Sequence, residues 1–202
     1  NTADPARFEP GEKKDLLVFA GRWTEKKGID TLIAALARLG EELQGWTVRL
    51  IGDGELKEGL VERLKAAGVE AELPGWVPAD EMPKHWAEAR IAAVPSKRAK
   101  SGDAEGLPLV CIEAMLSGCA LAATRHAGIP ECVKDGETGY LVDEGDEAAL
   151  ADRLARMLTD RERTAEMGEA GREFALSDFN LQNQSRKLES YLMDLARQAR
   201  TL

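Results

Sequence analysis

The residues with the most chemical content fall in two short segments. The first is Gly21-Arg22-Trp23-Thr24-Glu25-Lys26-Lys27-Gly28, which follows an apolar run and leads into a helical pattern. Arg22 and Lys27 therefore stand at a strand end beside a helix N-terminus, where free N–H groups and positive potential favour an anion. A guanidinium can fork onto two oxygens, so the pair fits a phosphate or diphosphate. Standing alone, the same segment would read as a solvated turn. The second is Glu105-Gly106-Leu107-Pro108-Leu109-Val110-Cys111-Ile112-Glu113-Ala114. Gly106 lets backbone approach a ligand closely, and Pro108 opens a helix, leaving the preceding amides free. Glu113 lies about 7.5 Å along that helix axis, and Glu105 precedes the helix. The two carboxylates can thus flank a phosphate at the helix start. Each can accept paired hydrogen bonds from vicinal hydroxyls, a sugar on one side and a ribose on the other. The alternative is that Glu105 is a loop charge and Glu113 a solvated helix residue. Val110, Ile112, Ala114 and Met115 around Glu113 speak against full solvation.

These segments need a scaffold, and the hydrophobic pattern supplies one. Short apolar runs at Leu16–Ala20, Val48–Ile51, Ala71–Leu73, Ile91–Val94, Leu121–Ala123 and Tyr140–Val142 read as strands buried on both faces. Between them, apolar residues recur at helical spacing: Ile29 to Leu43, Leu56 to Ala67, about Asp80 to Ala89, Pro108 to Gly118 and Pro130–Lys134. From Glu147 onward the pattern is helical only. Alternation of this kind predicts an α/β fold, a Rossmann-like parallel sheet of about six strands with helices on both faces and a helical tail. Ligands in such sheets sit at the carboxyl ends of the strands, which is where both segments fall. Residues 1–14 read as an interdomain linker, 15–177 as the Rossmann-like domain and 178–202 as a C-terminal helix.

Composition narrows the classes. The 202 residues are 44% hydrophobic and 31% charged, and 27 Lys+Arg against 36 Asp+Glu leave a net charge of −9. That disfavours a general nucleic-acid or anionic-membrane surface. No apolar run approaches the roughly 20 residues that span a bilayer. Cys111, Cys119 and Cys132 lack CxxC spacing, which predicts no disulfide framework and no zinc site and points to a reducing, cytoplasmic setting. The chain begins at Asn1 rather than Met, so a further upstream segment is expected. No Walker A and no Asp-x-Asp occur, and Gly52-Asp53-Gly54 is not a dinucleotide fingerprint. His85 and His126 are too few and too scattered for a metal cluster. No metal and no cofactor are expected, with cations standing where a metal would. Trp76 and Trp86 read as packing residues.

Taken together, the motifs resemble the C-terminal, donor-binding half of a retaining glycosyltransferase of the two-lobed GT-B architecture, in the large family 4 (group 1) class. The matches run along nearly the whole chain: Asp4 to Pro10, Gly21-Arg22 with Lys27-Gly28, Gly52-Asp53-Gly54, Pro74 to Pro78, Pro95-Ser96, the pair Glu105/Glu113, Gly128-Ile129-Pro130-Glu131 and Asp135 to Val142. The resemblance implies that Arg22 and Lys27 hold the donor diphosphate and stabilise its departing charge. Glu105 would meet donor-sugar hydroxyls and Glu113 the ribose. Amides near Gly106 and Leu107 would meet phosphate, Trp76 and Val77 would lie beside the base, and Gly52 would line the site. Arg22, Lys27 and Glu105 are the catalytic candidates. The implied reaction is hexose transfer from a UDP- or GDP-type nucleotide sugar, itself a substrate, to a saccharide or lipid-linked acceptor held by an N-terminal lobe outside this chain. The full enzyme could lie peripherally on a membrane, and no nucleic-acid partner is implied. The chain alone would be inactive.

Two departures and two rival readings accompany the resemblance. Ala127-Gly128 stands where the family often has two glycines, so a left-handed residue at 127 would be strained. The loop Lys97–Ala104 carries three cations and takes no role from the family; a solvated loop is its default. A nucleotide-sugar epimerase would need acids and bases that have no evident place here. A non-catalytic nucleotide-binding module would have no need of a sugar-side carboxylate such as Glu105.

Overall fold

The computed structural model describes residues 2–179 and 181–199. Residues 1, 180 and 200–202, within the expected linker and C-terminal helix, lie outside the described residues. Six strands, β1 (Lys14–Ala20), β2 (Thr47–Ile51), β3 (Glu72–Gly75), β4 (Ala89–Val94), β5 (Ala120–Thr124) and β6 (Gly139–Val142), form one sheet in the order β3-β2-β1-β4-β5-β6. Every neighbouring pair is parallel. The strands alternate with helices α1 (Ile29–Leu39), α2 (Lys57–Ala66), α3 (Met82–Glu88), α4 (Leu109–Leu116) and α5 (Ile129–Cys132). Then α6 (Glu147–Thr159), α7 (Arg161–Asp178) and α8 (Leu181–Ala199) complete the chain.

The uninterrupted apolar run of β1 has a simple cause. Leu17 and Phe19 pack into one core with α1, α2 and α6, while Leu16, Val18 and Ala20 pack into a second with α3, α4 and α5. Side chains alternate across the pleat, so a strand covered on both faces has no polar phase. Each buried Leu, Ile or Phe contributes roughly 1.5–3 kcal/mol, which makes the double-sided sheet the main source of stability. Strand order reverses beside β1, since β2 lies on one side of it and β4 on the other. The connections leaving these strands diverge there, opening a crevice at their carboxyl ends.

Some boundaries moved for local reasons. The helix read from Ile29 to Leu43 ends at Leu39, because Gly40 takes a positive φ of 54° and a 3-10 turn follows to Leu43. The third strand starts one residue later than expected and runs through Pro74 to Gly75. A proline is tolerated there because β3 is an edge strand. Residues 2–14 lie against the body: Phe8 is buried and its carbonyl accepts from Arg172 Nη1 at 3.1 Å. Helix α8 instead exposes Leu188, Tyr191, Leu192 and Leu195. Among the described residues no helix is long and apolar enough to cross a membrane.

Candidate functional site

The strand ends of β1, β2 and β3 are tied together by backbone. Gly21 N–H donates to Ile51 O at 3.2 Å and Gly52 N–H to Gly75 O at 2.7 Å. Gly52 sits at φ 124°, and a Cβ there would lie 1.9 Å from Gly21 O, so no other residue permits this approach. Trp23 is fully buried and fixes the turn after β1 through its N–H to Asp53 O at 2.8 Å. Arg22 beside it is exposed; its carbonyl accepts from Thr24 N–H at 2.9 Å, and its guanidinium is in no ion pair with a described residue. A cavity of about 280 Å³ opens here, and Arg22, Gly52, Trp76, Val77 and Glu113 line it. A larger one, about 350 Å³, lies at the opposite end of β2 between Leu36, Leu43, Trp46 and Val69. Glu70 is the only ionisable residue lining that one, so it has little to hold a charged ligand.

The second half of the site joins the turn before α1 to the loop before α4. A 3-10 turn, Glu25–Lys27, presents two lysines and closes at Gly28 with φ 64°. A Cβ on Gly28 would fall 1.7 Å from Pro95 O, so glycine is what brings this turn against the end of β4. Lys27 Nζ lies 3.2 Å from Glu105 Oε1, and Lys26 Nζ lies 3.7 Å from the same oxygen and 3.1 Å from Asp103 Oδ2. Lys26 holds the Asp103 carboxyl below the usual range. Glu105 Oε1 is nonetheless buried without a hydrogen bond of good geometry. That oxygen is therefore held by the two lysines through charge rather than by a well-aligned hydrogen bond. The stem of Lys27 packs beside Gly21, since a Cβ there would meet Lys27 Cδ at 3.4 Å, which links the two halves.

Helix α4 begins at Leu109, one residue later than expected, because Pro108 is extended and serves as an N-cap without a side-chain bond. The amides of Leu109 and Val110 have no acceptor among the described residues. Gly106 precedes it, exposed, its carbonyl accepting from Gly128 N–H at 3.1 Å. Leu107 packs beside Gly128, where a Cβ would approach its own Cβ to 3.1 Å. Glu113 is half-buried and has no ion pair with a described residue. Burial pushes its carboxyl up, while the Trp86 indole and Arg7 pull the other way. Trp86 Nε1 makes no well-formed hydrogen bond with a described residue, so the indole acts on Glu113 by proximity.

The structure gathers the expected residues in two groups: Arg22, Gly52, Trp76, Val77 and Glu113 around one cavity, and Lys27, Glu105, Gly106 and Leu107 around the start of α4. Two readings change. Trp76 is no packing residue; it is 72% exposed, because Gly75 at φ 78° turns it off the edge strand, whereas Trp86 is buried as expected. The 97–104 loop is not a free solvated loop. Lys97 N–H donates to Lys26 O at 2.9 Å, Arg98 N–H to Glu144 Oε2 at 2.7 Å and Lys100 N–H to Glu25 Oε2 at 3.0 Å. Ala127 does adopt a left-handed φ of 45°. Sequence reasoning missed Lys26 and Asp103 as partners of the site and passed over His126 and Glu144. Nothing local signals those contacts. Among the described residues no group of three or more His, Cys, Asp or Glu could hold a metal ion.

Comparison with known proteins agrees with this architecture. The GDP-mannose-dependent alpha-(1-6)-phosphatidylinositol monomannoside mannosyltransferase of Mycobacterium tuberculosis is 33% identical over 189 residues, 92% of this chain and 49% of that protein. The chain spans about half the length of the curated relatives it matches. Two solved structures share the fold at 23% identity. One is the C-terminal domain of a glycosyl transferase group 1 family protein from Francisella tularensis, with a TM-score of 0.78 over 89% of this chain and 99% of that one. The other is HepE of Anabaena in complex with UDP, with a TM-score of 0.83 over 96% of this chain and 56% of that one. The family model for glycosyl transferases group 1 matches residues 1–174, and the chain belongs to that family.

Proposed function

We propose that this chain is the donor-binding half of a retaining hexosyltransferase that uses a UDP- or GDP-type nucleotide sugar and a saccharide or lipid-linked acceptor. One observation carries the reading. The carboxylate of Glu105 is paired with Lys27 and Lys26 beside the uncapped start of α4. A free phosphate site needs no such carboxylate, whereas a phosphate joined to a hydroxyl-rich sugar uses both charges. In this reading Arg22, Lys27 and the α4 amides hold the diphosphate, and the two cations stabilise its charge as the glycosidic bond breaks. No metal or cofactor is required. Glu105 meets the sugar, Glu113 the ribose, and Trp76 with Val77 the base. The mannosyltransferase relative, named as GDP-mannose-dependent, and the UDP-bound neighbour support a nucleotide-sugar donor. The acceptor would be held by a second lobe, with the exposed apolar face of α8 packed against it. Buried free thiols accord with a cytoplasmic enzyme.

The test is calorimetric titration of the chain with UDP, GDP, UDP-glucose and GDP-mannose. Binding of one nucleotide class, lost by about 100-fold or more in Arg22→Ala/Lys27→Met, is the expected result. A folded chain that binds none of the four would refute the reading.

A further inference from the structure

We infer that His126 and Glu144 are positioning residues that set the place of the Glu105 carboxylate through its backbone. The role of Glu105 toward a sugar rests on the proposed function; the positioning rests on geometry alone. Glu105 N–H donates to His126 Nε2 at 3.1 Å, and His126 is 2% exposed. A ring nitrogen that accepts carries no proton, so the proton is on Nδ1. Nδ1 lies 2.7 Å from Glu144 Oε1 and donates to it. The other carboxylate oxygen, Oε2, accepts from Arg98 N–H at 2.7 Å. The chain of bonds therefore starts and ends on the loop between β4 and α4, at Arg98 and Glu105, and passes through the ends of β5 and β6.

The turn that carries His126 is built for this. His126 N–H donates to Thr124 O at 2.8 Å, and the next residue, Ala127, is the only non-glycine of positive φ among the described residues. A left-handed alanine is strained, so its neighbours must impose it. The same turn sends Gly128 N–H to Gly106 O. Glu105 is thus held by the ring and Gly106 by the amide, two successive residues fixed from one turn. Fixing the backbone matters because Oε1 of the side chain is held by the Lys26 and Lys27 ion pairs, which are less directional than a well-formed hydrogen bond. Arg125 faces elsewhere, bonded to Asp135 at 2.6 Å, and leaves Glu144 to the histidine.

The experiment compares His126→Leu, which removes the acceptor at similar volume, with His126→Gln, whose amide oxygen can still accept. His126→Asn, too short to reach Glu105, serves if the leucine variant fails to fold. Each is titrated with UDP, UDP-glucose, GDP and GDP-mannose, and exchange of the Glu105 amide proton is followed by NMR. In His126→Leu we expect nucleoside diphosphate affinity within about twofold of the parent, and the added affinity from the sugar reduced about tenfold. The Glu105 amide should exchange at least about tenfold faster. His126→Gln should restore both, and Glu144→Gln should fall between. Equal losses for the diphosphate and its sugar-bearing form, equal losses in Leu and Gln variants, or unchanged amide exchange would each overturn the assignment. A parent chain that binds no nucleotide refutes the proposed function instead, and the exchange measurement still decides the positioning.

Discussion

Removing the charge of Glu105 should tighten binding of a bare nucleoside diphosphate. Lys27 and Lys26 stand 3.2 and 3.7 Å from Glu105 Oε1, with side-chain exposures of only 16–17% for the lysines and 13% for the glutamate. Coulomb's law with an effective dielectric near 20 gives about 5 kcal/mol of gross attraction for the nearer pair. Desolvation, side-chain ordering and residual screening leave a net value of about 1–2 kcal/mol. A diphosphate at Lys27 must compete for that share and also stand near a like charge. Glu105→Gln keeps the shape and drops the charge, so UDP or GDP should bind about 5- to 30-fold more tightly. The sugar increment should move the other way, falling about tenfold, because a neutral amide accepts more weakly from hydroxyls than a carboxylate does. Calorimetry at low and moderate ionic strength reads both, and the gain for the bare diphosphate should shrink as salt rises. Parallel losses for both ligands would refute the reasoning, since they would mean that the pair supports the phosphate site rather than competing for it.

Four further outcomes follow from the same geometry. Gly28→Ala combines a left-handed alanine with a Cβ 1.7 Å from Pro95 O, and should cost about 2–5 kcal/mol in urea unfolding. Lys13 Nζ donates to the carbonyls of Trp86, Ala89 and Ser117 at 3.1, 2.7 and 2.6 Å, so Lys13→Met should cost about 3 kcal/mol while leaving nucleotide affinity unchanged by calorimetry. Because Glu113 is raised above its ordinary 4.5 by burial, the folded chain holds that proton more tightly than the unfolded one. Stability contributed by the protonated form is lost as pH rises from the ordinary value through the raised one, so Glu113→Gln should gain on the parent as pH climbs above about 4.5 in denaturant titrations. Finally, a radiolabelled-donor assay should find no transfer by this chain without an acceptor-binding half, since orienting donor and acceptor supplies about 7–11 kcal/mol toward the barrier.

Much of the site was legible because it is local. The run Leu16–Ala20, then Gly21-Arg22 and Lys27-Gly28, is a strand, a turn and a helix start in succession, and each residue type has a backbone reason to be there. Pro108 likewise announced α4 and put Glu113 on it. What stayed hidden is contact across strands. Nothing near Lys27 in sequence says that its ammonium meets Glu105, and nothing near His126 says that its ring meets the Glu105 amide. These meetings depend on the order of strands in the sheet, which brings the ends of β1, β4, β5 and β6 side by side. Trp76 misled for a different reason: large aromatics are buried on average, but one residue past a left-handed glycine on an edge strand has no core to reach.

The most direct test of the central claim is a crystal structure of the chain soaked with UDP-glucose or GDP-mannose, whichever binds. The account predicts diphosphate density within hydrogen-bond reach of Arg22, Lys27 and the amides of Leu109 and Val110. The ribose should lie toward Glu113 and the sugar toward Glu105. Density in the cavity between Leu36, Trp46 and Val69, or at the strand ends with the sugar remote from Glu105, would contradict it.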